Sequence, residues 1–246
     1  MNNDTSISFI GFQPNKERLS TLLLDSELST LDFSIFFSED QKYESSYSFS
    51  SSSQQFWRNS VSKIREGLLR NLELRSPGLN LDRSLNYPWM DPRPLKKGDL
   101  SVLSKHCRAL LRFLDSDKRY LVVFEDDIIF HPGWFNYLNS VLTEVSFDYL
   151  DLAGGDGITP ECATLYGTSF NLFRDYLSAT RTACAYVVNR RVASCLLEHL
   201  FNPILPIDWA ISAALSDISN PLVYWSCDPF FEHGSCTGKF TSWRSS

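Results

Sequence analysis

Three carboxylates stand side by side at Glu125, Asp126 and Asp127, between the apolar runs Leu121–Phe124 and Ile128–Phe130. Adjacent acids are costly to bury unless a cation compensates them. A hard divalent cation with oxygen ligands does so. In extended backbone the side chains of residues i and i+2 share a side. On that spacing Glu125 and Asp127 hold the ion, and Asp126 points away, toward a ribose, a basic side chain or a helix N-terminus. Such an ion, bridging carboxylates to a diphosphate, neutralises the charge that develops on a phosphate leaving group. His233, in the run Phe231-Glu-His-Gly-Ser235, is the candidate third ligand from the C-terminal part of the chain. A neutral imidazole suits Mn²⁺ better than Mg²⁺.

Other residues fit supporting roles. Asp208 follows the proline-rich turn Pro203–Pro206 and precedes an apolar helical run. It is the leading candidate for a base that takes a proton from an attacking hydroxyl, with a helix-capping acid as the alternative. Asp156, in the turn Gly154-Gly-Asp-Gly157, is the second candidate, because glycines let a ligand approach the backbone closely. Asp151, inside a strand, is the third. Lys105 and Arg181 are candidates to meet a phosphate, and His106 to hydrogen-bond a donor. For each the plain alternative is a solvated charge or a satisfied helix histidine. His131 precedes Pro132 and reads as a capping residue. Trp89 and Trp243 sit in irregular segments where an aromatic face can stack on a sugar or a base.

The elements that must position these residues are legible from periodicity. Ile7–Phe12 and Phe33–Phe37 read as strands flanking a helical run with Leu19, Leu22, Leu23 and Leu24 on one face. Strand, helix, strand points to a βαβ unit and a parallel sheet. Segment 45–53 is serine-rich and reads as a mobile surface loop. Segment 54–75 is helical in pattern, and 76–98, with Pro77, Pro88, Pro92 and Pro94, is irregular. A helix is expected from Asp99 to Leu114, a strand over Leu121–Phe124, a helix from Pro132 to Val145 and a strand over Phe147–Leu152. Residues 158–179 read as a mixed loop. A strand over Thr182–Val188, a helix capped by Asn189, a helix over Ile207–Leu215 and a strand over Leu222–Trp225 follow. The tail from Ser226 reads as irregular. No repeat or linker divides the chain, so 1–246 is taken as a single α/β domain.

Composition narrows the function classes. The chain has 246 residues, 43% hydrophobic and 21% charged, with a formal net charge of -6. That is the profile of an ordinary globular protein, and it argues against nucleic acid as the main partner. No run reaches the roughly 18 apolar residues of a membrane-spanning helix. The polar start Met1-Asn-Asn-Asp carries no signal-peptide pattern. The six cysteines form no Cys-x-x-Cys pair. They are expected to be reduced thiols of a cytoplasmic protein, and zinc-ligand spacing is absent.

The run Leu121-Val-Val-Phe-Glu-Asp-Asp-Ile-Ile-Phe resembles the Glu-Asp-Asp signature of glycosyltransferase family 25, which includes bacterial lipooligosaccharide galactosyltransferases and collagen galactosyltransferases. Gly98-Asp-Leu-Ser-Val-Leu-Ser-Lys-His106 resembles that family's Gly-Glu-x-Gly-Cys-x-x-Ser-His helix start, without its second glycine and its cysteine. Arg181-Thr-Ala-Cys-Ala-Tyr-Val-Val-Asn-Arg-Arg-Val-Ala is similar to its Gly-x-x-Ala-Tyr-x-x-Ser-x-x-Gly-Ala segment, and Pro206-Ile-Asp208 to its Pro-x-Asp. The family's Asn-Leu-x-Arg after the first strand is replaced here by Gly11-Phe-Gln-Pro. The resemblance implies a GT-A type, Rossmann-like and mostly parallel sheet flanked by helices. It implies Mn²⁺ or Mg²⁺ and an inverting transfer of a hexose, galactose above all, from a UDP-sugar to a hydroxyl. The implied acceptor is a cell-surface glycan or glycolipid such as lipopolysaccharide, with peripheral contact at the inner face of the cytoplasmic membrane. Two other readings compete: a non-catalytic nucleotide- or glycan-binding relative, and a metal-dependent phosphohydrolase. The phosphohydrolase would want further acids at separate strand ends.

Overall fold

The computed structural model describes residues 4–11, 33–37, 79–80, 95, 97–154, 159–160, 163–164, 168–175, 180–201 and 205–240. The strands are β1 (Thr5–Gly11), β2 (Phe33–Phe37), β3 (Leu79–Asn80), β4 (Tyr120–Glu125), β5 (Ile128–Phe130), β6 (Tyr149–Asp151), β7 (Thr159–Pro160), β8 (Ala163–Thr164), β9 (Asn171–Asp175), β10 (Ala185–Asn189), β11 (Val223–Ser226) and β12 (Phe231–His233). The described helices are α1 (Lys97–Leu114), α2 (Trp134–Glu144), α3 (Arg190–Phe201) and α4 (Ile207–Asp217).

One 8-stranded sheet carries the fold, in the order β2-β1-β4-β10-β6-β11-β9-β8. β1 pairs in parallel with β2 and β4, and β6 with β11. β10 runs antiparallel between β4 and β6, and β9 antiparallel between β11 and β8. Strands β2, β1, β4, β6, β11 and β8 therefore point one way, with only β10 and β9 reversed. This is an α/β sheet with most strands running one way, as the resemblance implies, and the parallel pairing of β1 with β2 and β4 is the kind that the strand-helix-strand pattern predicts. β5 and β12 form a separate antiparallel ribbon that continues from the end of β4.

The central strand is buried on both faces. Leu121, Val122, Val123 and Phe124 have no exposed surface. Each contributes roughly 1.5–3 kcal/mol by burial. The pleat sorts them: Leu121 and Val123 pack with α1, α3 and α4, whereas Tyr120, Val122 and Phe124 pack with α2 and the ribbon. β10 follows the same rule, with Tyr186 and Val188 on the first face and Ala185 and Val187 on the second. This alternation decides where the acids at the end of β4 go.

Helix boundaries follow local chemistry. Asn189 caps α3, its Oδ1 accepting the Val192 backbone N–H at 3.0 Å. Gly133 stands at the N-cap of α2 with φ 89, a left-handed conformation that glycine adopts without penalty. Pro132 therefore precedes the helix rather than opening its first turn, and the His131 side chain makes no cap: its Nε2 meets Glu232 at 3.0 Å, while its carbonyl accepts the Trp134 N–H at 3.1 Å. Six of the described strands escape the periodicity reading: the short β3, β5, β7 and β8, and also β9 and β12. β9 lies inside the segment expected to be a loop, and β12 inside the tail expected to be irregular. Both are short, and each is held by a partner distant in sequence.

Cys227 is disulfide-bonded, so the expectation that all the cysteines are reduced fails there. Among the described residues, no helix is long and apolar enough to cross a membrane. The serine-rich and proline-rich segments, the helical patterns at 19–24 and 54–75, Asp156, Trp89 and Trp243 lie outside the described residues.

Candidate metal and active site

Strand β4 ends at Glu125, and Asp126 and Asp127 form a turn into β5. The backbone is thus no longer extended across the triplet, and the expectation that Glu125 and Asp127 share one side does not hold. Glu125 keeps the parity of Leu121 and Val123 and faces α1. There its Oε1 lies 3.1 Å from Nε2 of His106. The turn carries Asp127 to the other face, against the β5–β12 ribbon.

At Asp127 three elements converge. The β5–β12 register sets His233 opposite Ile128, and His233 Nε2 lies 2.9 Å from Asp127 Oδ2. Cys184, just before β10, approaches from the sheet: its thiol donates to Asp127 Oδ1 at 3.3 Å. One donor atom from each of Asp127, Cys184 and His233 lies within 4.8 Å of the others. On the far side of the imidazole, His233 Nδ1 meets Cys236 Sγ at 3.0 Å. The Gly234 N–H donates to the Asp127 carbonyl at 2.9 Å, and a Cβ on Gly234 would stand 2.9 Å from that oxygen and 2.2 Å from the Phe240 ring. Glycine is what lets the ribbon close on the acid.

Burial works against the charge on Asp127. It is outweighed by the hydrogen bond and charge of His233 and by hydrogen bonds from Ser235 and Cys184, which hold the carboxyl well below the usual range. Burial likewise opposes charge on His233, but the partnership with Asp127, together with Cys236, raises the imidazole to about 11. The metal-free site is a carboxylate–imidazolium pair. Its linkage follows in sign. The lowered Asp127 contributes stability above its ordinary value of 3.8, lost as pH falls below it; the raised His233 contributes fully below its ordinary 6.5, lost as pH rises toward 11. In chelator, the margin by which the wild type out-melts Asp127→Asn is expected to be widest between pH 3.8 and 6.5 and to narrow steadily above 6.5. Melting curves across pH check this; a margin that grows above neutrality contradicts the pairing.

The opposite face holds a buried polar chain. His106, with no exposed surface, sits between Glu125 and the Tyr186 hydroxyl, 2.8 Å from its Nδ1. A carboxylate only accepts, so Nε2–H donates to Glu125, and in the neutral imidazole Nδ1 then accepts from Tyr186. Burial, then the charges of Glu125 and Asp208, push the Tyr186 hydroxyl well up and keep it a donor. The His106 and Tyr186 rings stack 5.8 Å apart. His106 therefore positions Glu125 from within the core and does not present itself to a donor. Lys105 is buried as well, at 1% exposure, so it is not the solvated charge that was its plain alternative.

Arg181 also turns inward. Its Nη2 pairs with Asp151 Oδ1 at 2.9 Å and donates to the Ser226 carbonyl at 3.1 Å, and the guanidinium lies over the Trp225 ring at 5.3 Å. A buried ion pair, not a ligand contact, is the role this geometry gives Arg181 and Asp151. Asp208 lies in the first turn of α4, whose N-cap is Pro206. Its Oδ1 accepts the Ala183 N–H at 2.7 Å, which pins the segment that presents Cys184. Asp126 is partly exposed at the turn.

The structure thus brings together Asp127 and His233, sets Glu125 apart on the other face, and adds Cys184, which sequence reasoning missed. No spacing marks Cys184; only the antiparallel register of β10 on β4, with the Glu125 N–H donating to the Cys184 carbonyl at 2.7 Å, places it there. A concavity of about 370 Å³ lined by Arg119, Asp148, Asn189 and Arg190 lies at the opposite end of the sheet. Arg190 is committed there to carbonyls at the end of α1, including Leu114 at 2.6 Å and Ser116 at 2.7 Å.

No family model and no curated protein matches the chain. Among solved structures it is similar to A197 from STIV, with TM-score 0.37 and 11% identity over 90% of this chain and 81% of that one. It is similar to a glycosyltransferase involved in glycosylation of the major capsid of PBCV-1, with TM-score 0.25 and 8% identity over 80% and 68%. A UDP-glucose pyrophosphorylase mutant from Leishmania major, in complex with UDP-Glc, gives TM-score 0.32 and 10% identity over 92% of this chain and 63% of that chain.

Proposed function

We propose that the protein is a metal-dependent glycosyltransferase of the family 25 type, which moves a hexose from a UDP-sugar to a hydroxyl of a glycan or glycolipid. The observation that carries this reading is the approach of His233 Nε2 to Asp127 Oδ2, 2.9 Å apart, at the end of the central strand where the Glu-Asp-Asp run stops. A carboxylate oxygen and an imidazole nitrogen from separate elements form a donor pair that fits Mn²⁺. Asp127 and His233 hold the ion. When bound, it supplies Lewis-acid charge for the diphosphate leaving group.

The chain's own residues do the rest. His106 and Tyr186 fix Glu125 at the strand end, so its carboxylate is set in place before any ligand arrives. Asp126, partly exposed on the turn, is the candidate to meet the ribose. Asp208 is the base for the acceptor hydroxyl. It stands in the first turn of α4, where the helix dipole favours a carboxylate over its acid. Galactose as the sugar, inversion at the anomeric carbon and a surface-glycan acceptor follow from the sequence resemblance.

Thermal melting with UDP and with nucleotide sugars, each with and without Mn²⁺, tests the reading. Ligand at about a hundredfold its dissociation constant adds roughly 2.7 kcal/mol, on the order of 5–10 °C for a chain this long. A shift that needs both UDP and Mn²⁺ is expected. No shift with any nucleotide in the presence of metal removes the transferase reading and leaves a glycan-binding relative to be tested on glycans.

A further inference from the structure

We infer that Cys184 is a direct third donor to the cation held by Asp127 and His233, and that the site therefore selects a borderline ion of the zinc class over manganese or magnesium. This rests on the proposed reading of Asp127 and His233 as cation ligands and adds the thiol that the acid triplet does not announce.

The geometry is that of a convergent donor set. Cys184 Sγ is 3.3 Å from one oxygen of Asp127, and His233 Nε2 is 2.9 Å from the other. All three donor atoms fall within 4.8 Å of one another. An ion bonded at about 2.0–2.3 Å in tetrahedral geometry holds neighbouring donors roughly 3.5 Å apart. The donors come from the β4–β5 turn, the segment before β10 and β12, so small shifts of separate elements suffice to close on an ion.

The thiol's setting favours ligation over a packing role. Cys184 is fully buried, yet its sulfur is directed at a carboxylate and not only at apolar neighbours. Its backbone is fixed by the bond from Glu125 N–H, and the next residue back, Ala183, is pinned by Asp208. The His233 ring is oriented as a metal-bound imidazole is, with one nitrogen toward the donor cluster and the other on a partner, Cys236 Sγ at 3.0 Å. A sulfur, nitrogen and oxygen set suits zinc or cobalt and suits magnesium badly. Three protein donors leave coordination positions open, as a site that must also accept phosphate oxygens requires. On binding, the thiol proton leaves to solvent and the sulfur binds as thiolate, so no oxidant or reductant enters.

Cobalt titration of the chelated protein, followed by absorption, tests this with a readout independent of turnover. The wild type is expected to develop a near-ultraviolet thiolate-to-cobalt charge-transfer band. Cys236→Ser should keep the band. Cys184→Ser should lose it while cobalt still binds at higher concentration, with zinc affinity down by at least the roughly 10–100-fold that lesser perturbations of a metal shell cost. Cadmium NMR of the wild-type protein asks the same question without a variant, should Cys184→Ser fail to fold. A resonance in the sulfur-ligated range supports the inference; one in the oxygen-and-nitrogen range overturns it. Cobalt that binds the wild type with no charge-transfer band also overturns it and leaves the transferase reading standing. No binding of cobalt or manganese, together with no UDP-dependent stabilisation, ends both.

Discussion

Asp127→Asn is expected to fold, to lose the stabilisation that UDP confers with Mn²⁺, and to lose about 10³-fold or more of metal-dependent turnover. The fold should survive because Asp127 sits on a turn, outside the hydrogen-bonded ladders of β4 and β5. The amide retains the size of the carboxyl, and the Asp127 carbonyl still receives the Gly234 N–H. The charge is what goes. A neutral amide is a poor donor to a divalent ion, and the charge that develops on the departing diphosphate is then unmatched; losing one such electrostatic contact costs on the order of 10²–10³-fold or more. The imidazole at position 233 loses its carboxylate at the same time, so it no longer holds its proton to about 11. Circular dichroism establishes folding, and donor consumption with and without Mn²⁺ establishes the rate. Turnover like that of the wild type would remove Asp127 from the metal site.

The β elements that lie in the middle of the sheet are readable in the sequence because their burial writes a run of apolar residues. Leu121–Phe124 is of this kind and lies within β4, whereas Phe33–Phe37 is equally legible as an apolar run although β2 is an edge strand with Ile35 exposed. β12 is not readable that way. It has one buried apolar residue, Phe231, and its existence depends on β5 lying beside it. The site shows the same division. Glu125 and Asp127 are conspicuous as a cluster, but the inference that they share a side assumes a strand that continues, and the chain turns at Asp126. His233 is visible only as a histidine beside a glycine; the ribbon brings it to Asp127. Cys184 reads as an apolar-context thiol, since nothing local distinguishes a buried cysteine that packs from one that faces a carboxylate across a register. Arg181 and Lys105 reverse the usual expectation for basic residues, because the charge that holds Arg181, Asp151, lies on β6, 30 residues away in sequence.

That buried pair sets the second large effect. Asp151→Asn is expected to destabilise the protein by about 3–5 kcal/mol, lowering the melting temperature by on the order of 10 °C. Asp151 has no exposed surface and accepts from the Arg181 backbone N–H at 2.8 Å, from Arg181 Nη2 at 2.9 Å and from the Thr180 hydroxyl at 3.2 Å. The amide cannot accept at both of its ends, so at least one of these donors loses its acceptor. The guanidinium, 4% exposed and with its Nε lacking a partner among the described residues, is left as an uncompensated charge in the core. Among the described residues, the Ser226 and Asp151 carbonyls and the Trp225 face remain to it. The double variant Asp151→Asn with Arg181→Met removes the orphaned charge as well, and it should recover a substantial part of the loss, since a buried pair contributes less than the cost of breaking one half. Urea unfolding of the wild type, both single variants and the double variant measures the coupling. Because the pair lies on the face away from Asp127 and His233, the cobalt spectrum of folded Asp151→Asn should match that of the wild type, which separates a positioning role in the core from one at the metal. Additive effects in the cycle would show that Arg181 is not held by Asp151 and would return it to the pool of residues available to a phosphate.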